Sequence, residues 1–331
     1  MRLVHLSSIL MIAVLGPIAV VASRAGAPAL AADCGATPCS CGDTVTADRT
    51  LVCGSDPVTT TVCPGDGLIM SDGVTLDLGG CTITGDSKDH TDVGIVVAGE
   101  HITVTNGRVT NFGFGVATPP GSPTGDSTLS TLQIFANGEG IRLAAVGSRL
   151  TDLQVRQNDR TGIDLTAADT VITKSVLRLN GGAGIILQAG PWAVNANTVS
   201  LNRCESNGAP GLQIHGVVNT IARNILLRNG GDGAEVDGSG HIIDRNQGKF
   251  NGHSGFHIQG EDHTVTLNIA QSNDIDGFTV SASESALSRN TGNYNGGYGI
   301  HDASPASDNT YSANKCTGNA LGKSRPPGLC K

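Results

Sequence analysis

Aromatic side chains are scarce in this 331-residue chain, at 3% of the total with one Trp and three Tyr. Charge is also thin: 15% of residues are charged, and the net charge of -8 is spread without a basic block. That distribution offers no electrostatic support for nucleic acid or for an anionic membrane as partner. Long apolar runs are missing except at the start. There Arg2 and His5 precede an apolar stretch from Leu6 to Val21, and Ala29-Leu30-Ala31 follows. Pro17 and Arg24 interrupt the stretch, and a membrane span needs about 20 apolar residues, so residues 1–31 read as a signal peptide cleaved near Ala31. Asp33 stands before Cys34 where a lipoprotein signal would carry a small residue. The expectation is a secreted or extracytoplasmic, monomeric chain with no membrane contact in its mature form.

Gly and Asn, in contrast, are everywhere, with 46 Gly, and they punctuate the chain too often for long helices. The remaining ~300 residues exceed the usual size of one compact core, a limit that repeat folds escape because each repeat contacts only its neighbours. A repeat is present. Gly140, Gly162, Gly184, Gly211, Gly233, Gly255, Gly277 and Gly299 follow one another at 22 residues, except for 27 between Gly184 and Gly211. Gly94 and Gly115 are less regular earlier members. Each Gly opens an alternating run such as Gly162-Ile163-Asp164-Leu165 or Gly255-Phe256-His257-Ile258. Side chains alternate across a strand, so the apolar pair points to one side. A second strand follows near His241-Ile242-Ile243 and a third near Leu226, Gly248 and Ala270.

Three short strands per 22 residues with no helix between them close as an all-β, single-domain right-handed parallel β-helix, since one coil alone cannot bury its apolar face. The expected organisation is a signal peptide at 1–31, a Cys-rich N-terminal cap at 32–65, a β-helix of about eleven coils at 66–320, and a C-terminal tail or cap at 321–331. Two Asn series at the same period, Asn158 to Asn295 and Asn202 to Asn290, read as ladders at tight corners, where Asn tolerates the left-handed conformation. His241 and His263 occupy the place of Asn219 and Ser285 in neighbouring coils and read as ladder members.

Nine Cys behind an export signal indicate disulfides. Cys34, Cys39, Cys41, Cys53, Cys63 and Cys81 crowd the N-terminal region and allow fifteen pairings that sequence does not separate. Cys204 lies five rungs from Cys316, about 24 Å, beyond the ~7 Å reach of a disulfide. Cys316 is therefore expected to pair with Cys330, leaving Cys204 buried and unreactive unless a member of the N-terminal group reaches it.

The stretch from Asp72 to Gly85, followed by Val104-Thr105-Asn106-Gly107-Arg108-Val109 and Phe112-Gly113-Phe114-Gly115-Val116, resembles the opening of right-handed β-helix repeat proteins of the pectate lyase-like superfamily. That resemblance covers about residues 66–320 and implies the fold and, as one reading, an enzyme acting on acidic polysaccharides: a lyase, epimerase or glycoside hydrolase. Activity motifs of the superfamily are not matched. The nearest approach to the Asp-Pro-His-Asp of alginate epimerases is Asp89-His90-Thr91-Asp92, which lacks the Pro. Gly240-His241-Ile242 lacks the second Gly of the polygalacturonase motif, and no Arg-x-Lys is present. The calcium-binding Asp cluster of pectate lyases has no counterpart either.

Candidate site residues come from geometry instead. The second and fourth residues after each Gly face outward on the first sheet, and ionisable ones concentrate in three consecutive coils as His215, Glu235, Asp237 and His257. In-register parallel strands would set Glu235 beside His257 and His215 beside Asp237, about 4.8 Å apart along the stack. A carboxylate orients a neighbouring imidazole for acid or base work, and the same four groups suit a divalent cation such as zinc. Asp232 and His253 lie in turns leading into these coils. Trp192, in the insertion after Gln188, would flank the groove and stack on a sugar ring. Against a polysaccharide-binding or -modifying face stands the alternative of a noncatalytic surface or structural solenoid, in which these charges keep the sheet face solvated.

Overall fold

A computed structural model describes residues 33–331, except 36, 122–123, 167, 189–195 and 305–307. Trp192 and the expected cleavage point near Ala31 lie outside the described residues. The alternation around each coil Gly produces what it requires. A 13-stranded sheet, every neighbouring pair parallel, runs from Asp43–Val45 to Gly322–Arg325. The second and third strands of successive coils stack in the same way, as in Thr220–Ala222 on Ile242–Asp244 and Ile225–Leu227 on Gln247–Lys249. The chain is a right-handed parallel β-helix. Both flanking segments join the first sheet: Asp43–Val45 pairs with Leu68–Met70, and Gly322–Arg325 with Tyr298–Asp302.

The core is a set of columns. Leu212 and Ile214, Ala234 and Val236, Phe256 and Ile258, then Phe278 and Val280 are all fully buried. Each large apolar side chain contributes about 1.5–3 kcal/mol on leaving water. Phe256 and Phe278 stack with ring centroids 5.1 Å apart. The coil Gly is dictated by the coil above: a Cβ on Gly233 would sit 2.4 Å from the carbonyl oxygen of Gly255.

Buried Asn side chains bind coil to coil. From Asn137 through Asn295, each residue of one column donates its backbone N–H and its side-chain Nδ2 to the Oδ1 of the Asn in the next coil, as Asn229 does to Asn251 at 3.0 and 3.1 Å. A second column runs from Asn202 to Asn314. The corner chemistry differs from the expectation in one respect. The left-handed residue is the one before the Asn: Arg223, Arg228, Arg245 and Phe250 have φ of 53–58° and precede Asn224, Asn229, Asn246 and Asn251. Turning the chain there lets the following Asn point inward under the corner. Strain of about 1–3 kcal/mol at such a residue persists because the ladder over-determines it.

His241 and His263 belong to a third column, Asn197-Asn219-His241-His263-Ser285, each taking the backbone N–H of the preceding member. The two imidazoles are fully buried and stacked, 5.1 Å between centroids and 5° between planes. Nδ1 of each accepts the N–H below, and Nε2 faces the carbonyl of Asp237 or Gln259 at 3.3 and 2.8 Å, so the neutral Nε2–H form suits both. Burial holds His241 down at about 4 and also lowers His263.

Four disulfides close the ends: Cys34 with Cys39, Cys41 with Cys63, Cys53 with Cys81, and Cys316 with Cys330. Cys204 is free and buried in the third-strand column, where burial pushes its thiol well above the ordinary range. It should label with a thiol reagent only after denaturation. Labelling of the native protein on the time scale of an exposed thiol would show that this column opens.

Candidate site on the outer face of the first sheet

The strands Leu212–Val217, Ala234–Ser239 and Phe256–Glu261 hold the expected register: Glu235 is beside His257 and His215 beside Asp237. Their polar contacts are more selective. His215 Nδ1 lies 3.6 Å from Asp237 Oδ2 on the open face, the imidazole half-buried and the carboxylate exposed. The carboxylate that approaches His257 Nδ1 is that of Asp232, at 3.8 Å, whereas no ion pair joins Glu235 to His257 among the described residues. Asp232 immediately precedes the coil Gly. Its side chain is nearly buried, and Oδ1 accepts the Ser254 N–H at 2.7 Å while Oδ2 turns toward the imidazole. Burial raises the Asp232 pKa, against which the Ser254 N–H and the imidazoles of His257 and His253 act. His253 stays in the exposed turn.

The four outward residues do not form a metal cage. Positions two apart on a strand are about 7 Å apart, so His257 and Glu235 lie on one row and His215 and Asp237 on another. Among the described residues, the group that brings three potential ligand atoms within 4.8 Å of one another is Asp86, His90 and Asp92. His90 Nδ1 is 3.2 Å from Asp86 Oδ1 and 3.5 Å from Asp92 Oδ2, all at the surface. His90 and Asp92 belong to the stretch compared above with the epimerase motif. Asp86 escaped notice because it precedes that stretch.

The same geometry as Asp232 and His257 recurs two coils on, where sequence reading missed it. Asp276 also precedes a coil Gly, and its Oδ2 lies 3.0 Å from His301 Nδ1. In the coil between them, Ser254 and Thr279 bring their hydroxyls to 2.8 Å. Glu139 is the third acidic residue in the pre-Gly position. It is buried with a raised pKa, and Arg142 and Arg160 reach its carboxylate. The available signal was an acid directly before the coil Gly, with a polar residue 25 positions later.

An open depression of about 440 Å³ lies beside His215, lined also by Ile186, Gln188 and Gln213. Polar side chains in rows along the outer face of a long parallel sheet are those of a β-helix repeat protein. The family described as periplasmic copper-binding protein (NosD) matches residues 55–239, more than half of the chain, and a right-handed β-helix region matches residues 210–324. The chain belongs to the periplasmic copper-binding protein (NosD) family. With four disulfides, it is an extracytoplasmic protein.

No curated protein matches the chain. Among solved structures, the Dettilon tailspike protein is 12% identical with a TM-score of 0.63, covering 84% of this chain and 61% of the tailspike. The mannuronan C-5 epimerase A-module of Azotobacter vinelandii is 16% identical with a TM-score of 0.53, covering 87% of this chain and 82% of the module. A periplasmic alginate epimerase is 16% identical with a TM-score of 0.57, covering 81% of this chain and 83% of that one. At these identities the likeness is one of fold.

Proposed function

We propose that the mature protein, secreted after cleavage near Ala31 and monomeric, binds a polysaccharide along the outer face of the first sheet. The patch of His215, Glu235, Asp237 and His257 forms the binding surface, with Asp232 and His253 beside it and Trp192 as a candidate stacking group. The observation that carries this reading is the alignment of outward-facing imidazole and carboxylate side chains in two rows parallel to the solenoid axis, beside an open depression. An extended polymer lying along the axis meets a new outward pair at every rung of about 4.8 Å. The names of the mannuronan and alginate epimerases support a saccharide ligand.

Affinity electrophoresis over a panel of acidic and neutral polysaccharides tests it. The wild-type protein is expected to be retarded by at least one polymer. The Glu235→Ala, His257→Ala double variant should bind about tenfold or more weakly, because two polar contacts of about 1 kcal/mol each are removed. Its stability should stay within about 0.5 kcal/mol of wild type, since both side chains point outward. A protein that no polymer retards, or a double variant that binds unchanged, overturns the assignment.

A second reading follows from the family description and the cluster of Asp86, His90 and Asp92. Cu(I) prefers thiolate and thioether donors, yet among the described residues Met70 and Cys204 are buried and the other eight Cys are in disulfides. Imidazole with two carboxylates suits Cu(II) instead. Titration with Cu(II) monitored by electron paramagnetic resonance should show a bound spectrum in the wild type that His90→Ala abolishes. Retention of that spectrum in the variant rejects this site.

A further inference from the structure

We propose that the C-terminal end of the same sheet is a separate ligand site, in which Arg325 and His301 receive a ligand carrying an acidic group next to a hydroxyl. The site is built from the inside outward. Asp276 is 4% exposed. Its Oδ1 accepts the Tyr298 N–H at 2.5 Å, and its Oδ2 accepts the Thr279 hydroxyl at 3.3 Å and faces His301 Nδ1 at 3.0 Å. A carboxylate held from three sides fixes the imidazole it contacts. With Nδ1–H donating to Asp276, Nε2 is the ring nitrogen left for a ligand. Asp276 is thus a positioning residue, and His301 Nε2 is the atom offered to a ligand hydroxyl.

Arg325 is the register partner of His301 on the next rung. It is exposed and makes no ion pair among the described residues. Together the two residues border a pocket of about 540 Å³, with Asp302, Ala303 and Pro326 as its other walls. The Asp302 carboxylate shares the pocket wall, and its hydrogen bonds run within the fold. Its Oδ1 accepts the Ser304 N–H at 2.9 Å and its Oδ2 accepts the Tyr311 hydroxyl at 2.7 Å, so both oxygens are engaged within the fold. The pocket offers an exposed planar guanidinium suited to a carboxylate and, one rung away, an oriented imidazole. A sugar-acid unit and a free hydroxycarboxylate both carry this chemistry. The inference goes beyond the saccharide reading, because a free hydroxycarboxylate would fill the pocket with no polymer on the sheet.

Isothermal titration calorimetry on the full-length mature protein tests it, with an oligogalacturonate, a neutral oligoglucan of equal length and free tartrate as probes. Binding of oligogalacturonate, tartrate or both is expected. That binding should weaken tenfold or more in Arg325→Gln and clearly in His301→Gln, while any oligoglucan binding stays unchanged. Binding of the oligomer alone assigns the pocket to a sugar chain, and binding of tartrate assigns it to a free acid. The Glu235→Ala, His257→Ala variant should retain tartrate binding, which separates this site from the patch above. The proposal is overturned if neither acid binds, or if both Arg325→Gln and His301→Gln bind the acids as the wild type does.

Discussion

Asn251→Ala is expected to lower stability by about 4 kcal/mol, far more than a comparable change on the outer face. The substitution strands several buried groups at once. The N–H and Nδ2 of Asn229 lose the Asn251 Oδ1, and the Leu226 carbonyl loses the Asn251 Nδ2 at 3.2 Å. Each buried polar group left without a partner costs about 1–3 kcal/mol. Lys249→Ala, on an outward position of the same coil, should cost under ~0.5 kcal/mol. Chemical denaturation of the two variants beside the wild type makes the comparison. If Asn251→Ala falls within about 1 kcal/mol of wild type, the ladder is not a principal tie between coils. Because a solenoid melts as coupled repeats, the loss should also appear as faster amide exchange in the coils flanking Asn251.

Acidification should destabilise the protein through His241, with the loss confined to the interval from about pH 6.5 down to about pH 4. The His241 pKa is about 4 in the folded chain against an ordinary 6.5. Above 6.5 both states are neutral and the ring contributes its full stability. Below it the unfolded chain takes up a proton that the buried ring refuses, until the folded pKa is reached. By linkage the total is about 3 kcal/mol, and His263, also lowered by burial, adds in the same direction. The nearby carboxylates of Asp237, Glu261 and Asp262 only moderate these shifts. Asp232 and Glu139, whose pKa values burial raises, act in the opposite sense, so the wild type alone does not isolate the effect.

The His241→Asn, His263→Asn double variant isolates it. An imidazole Nδ1 offers one lone pair, whereas an amide oxygen offers two. This difference explains why the Asn219 Nδ2 is buried without a partner, although Asn197 in the same column donates both its groups to Asn219. Restoring Asn should supply the missing acceptor, raise stability at neutral pH by about 1 kcal/mol and flatten the acid limb. Denaturant midpoints measured from pH 7 to pH 4 decide the matter. A double variant with an unchanged acid limb would falsify the assignment to these two rings.

Much of this was legible in the sequence because the code is local. Val236 and Ile258 point inward and Glu235 and His257 outward by alternation alone, and the 22-residue step sets which residues share a rung. The corner geometry was read one residue late. Asn was expected to take the left-handed conformation itself, whereas Arg228 and Phe250 take it so that Asn229 and Asn251 can turn under the chain. The candidate site was read incompletely for a related reason. Counting only residues after each Gly found His257 but passed over Asp276 and Glu139, and it matched His257 with Glu235 on its own row.

The sequence by itself determined the coil length, the inward and outward faces, the Asn columns and the separation that keeps Cys204 from Cys316, since all of these follow from periodicity and a constant rise per rung. Only the tertiary structure decided that Asp232 reaches His257 and Asp276 reaches His301, and which of six N-terminal Cys residues bond to one another. Those pairings cross from the turn of one coil to the strand of the next, or close irregular loops. They depend on how tightly each corner folds, a quantity set by the packed coils together and not by the alternation of any one of them.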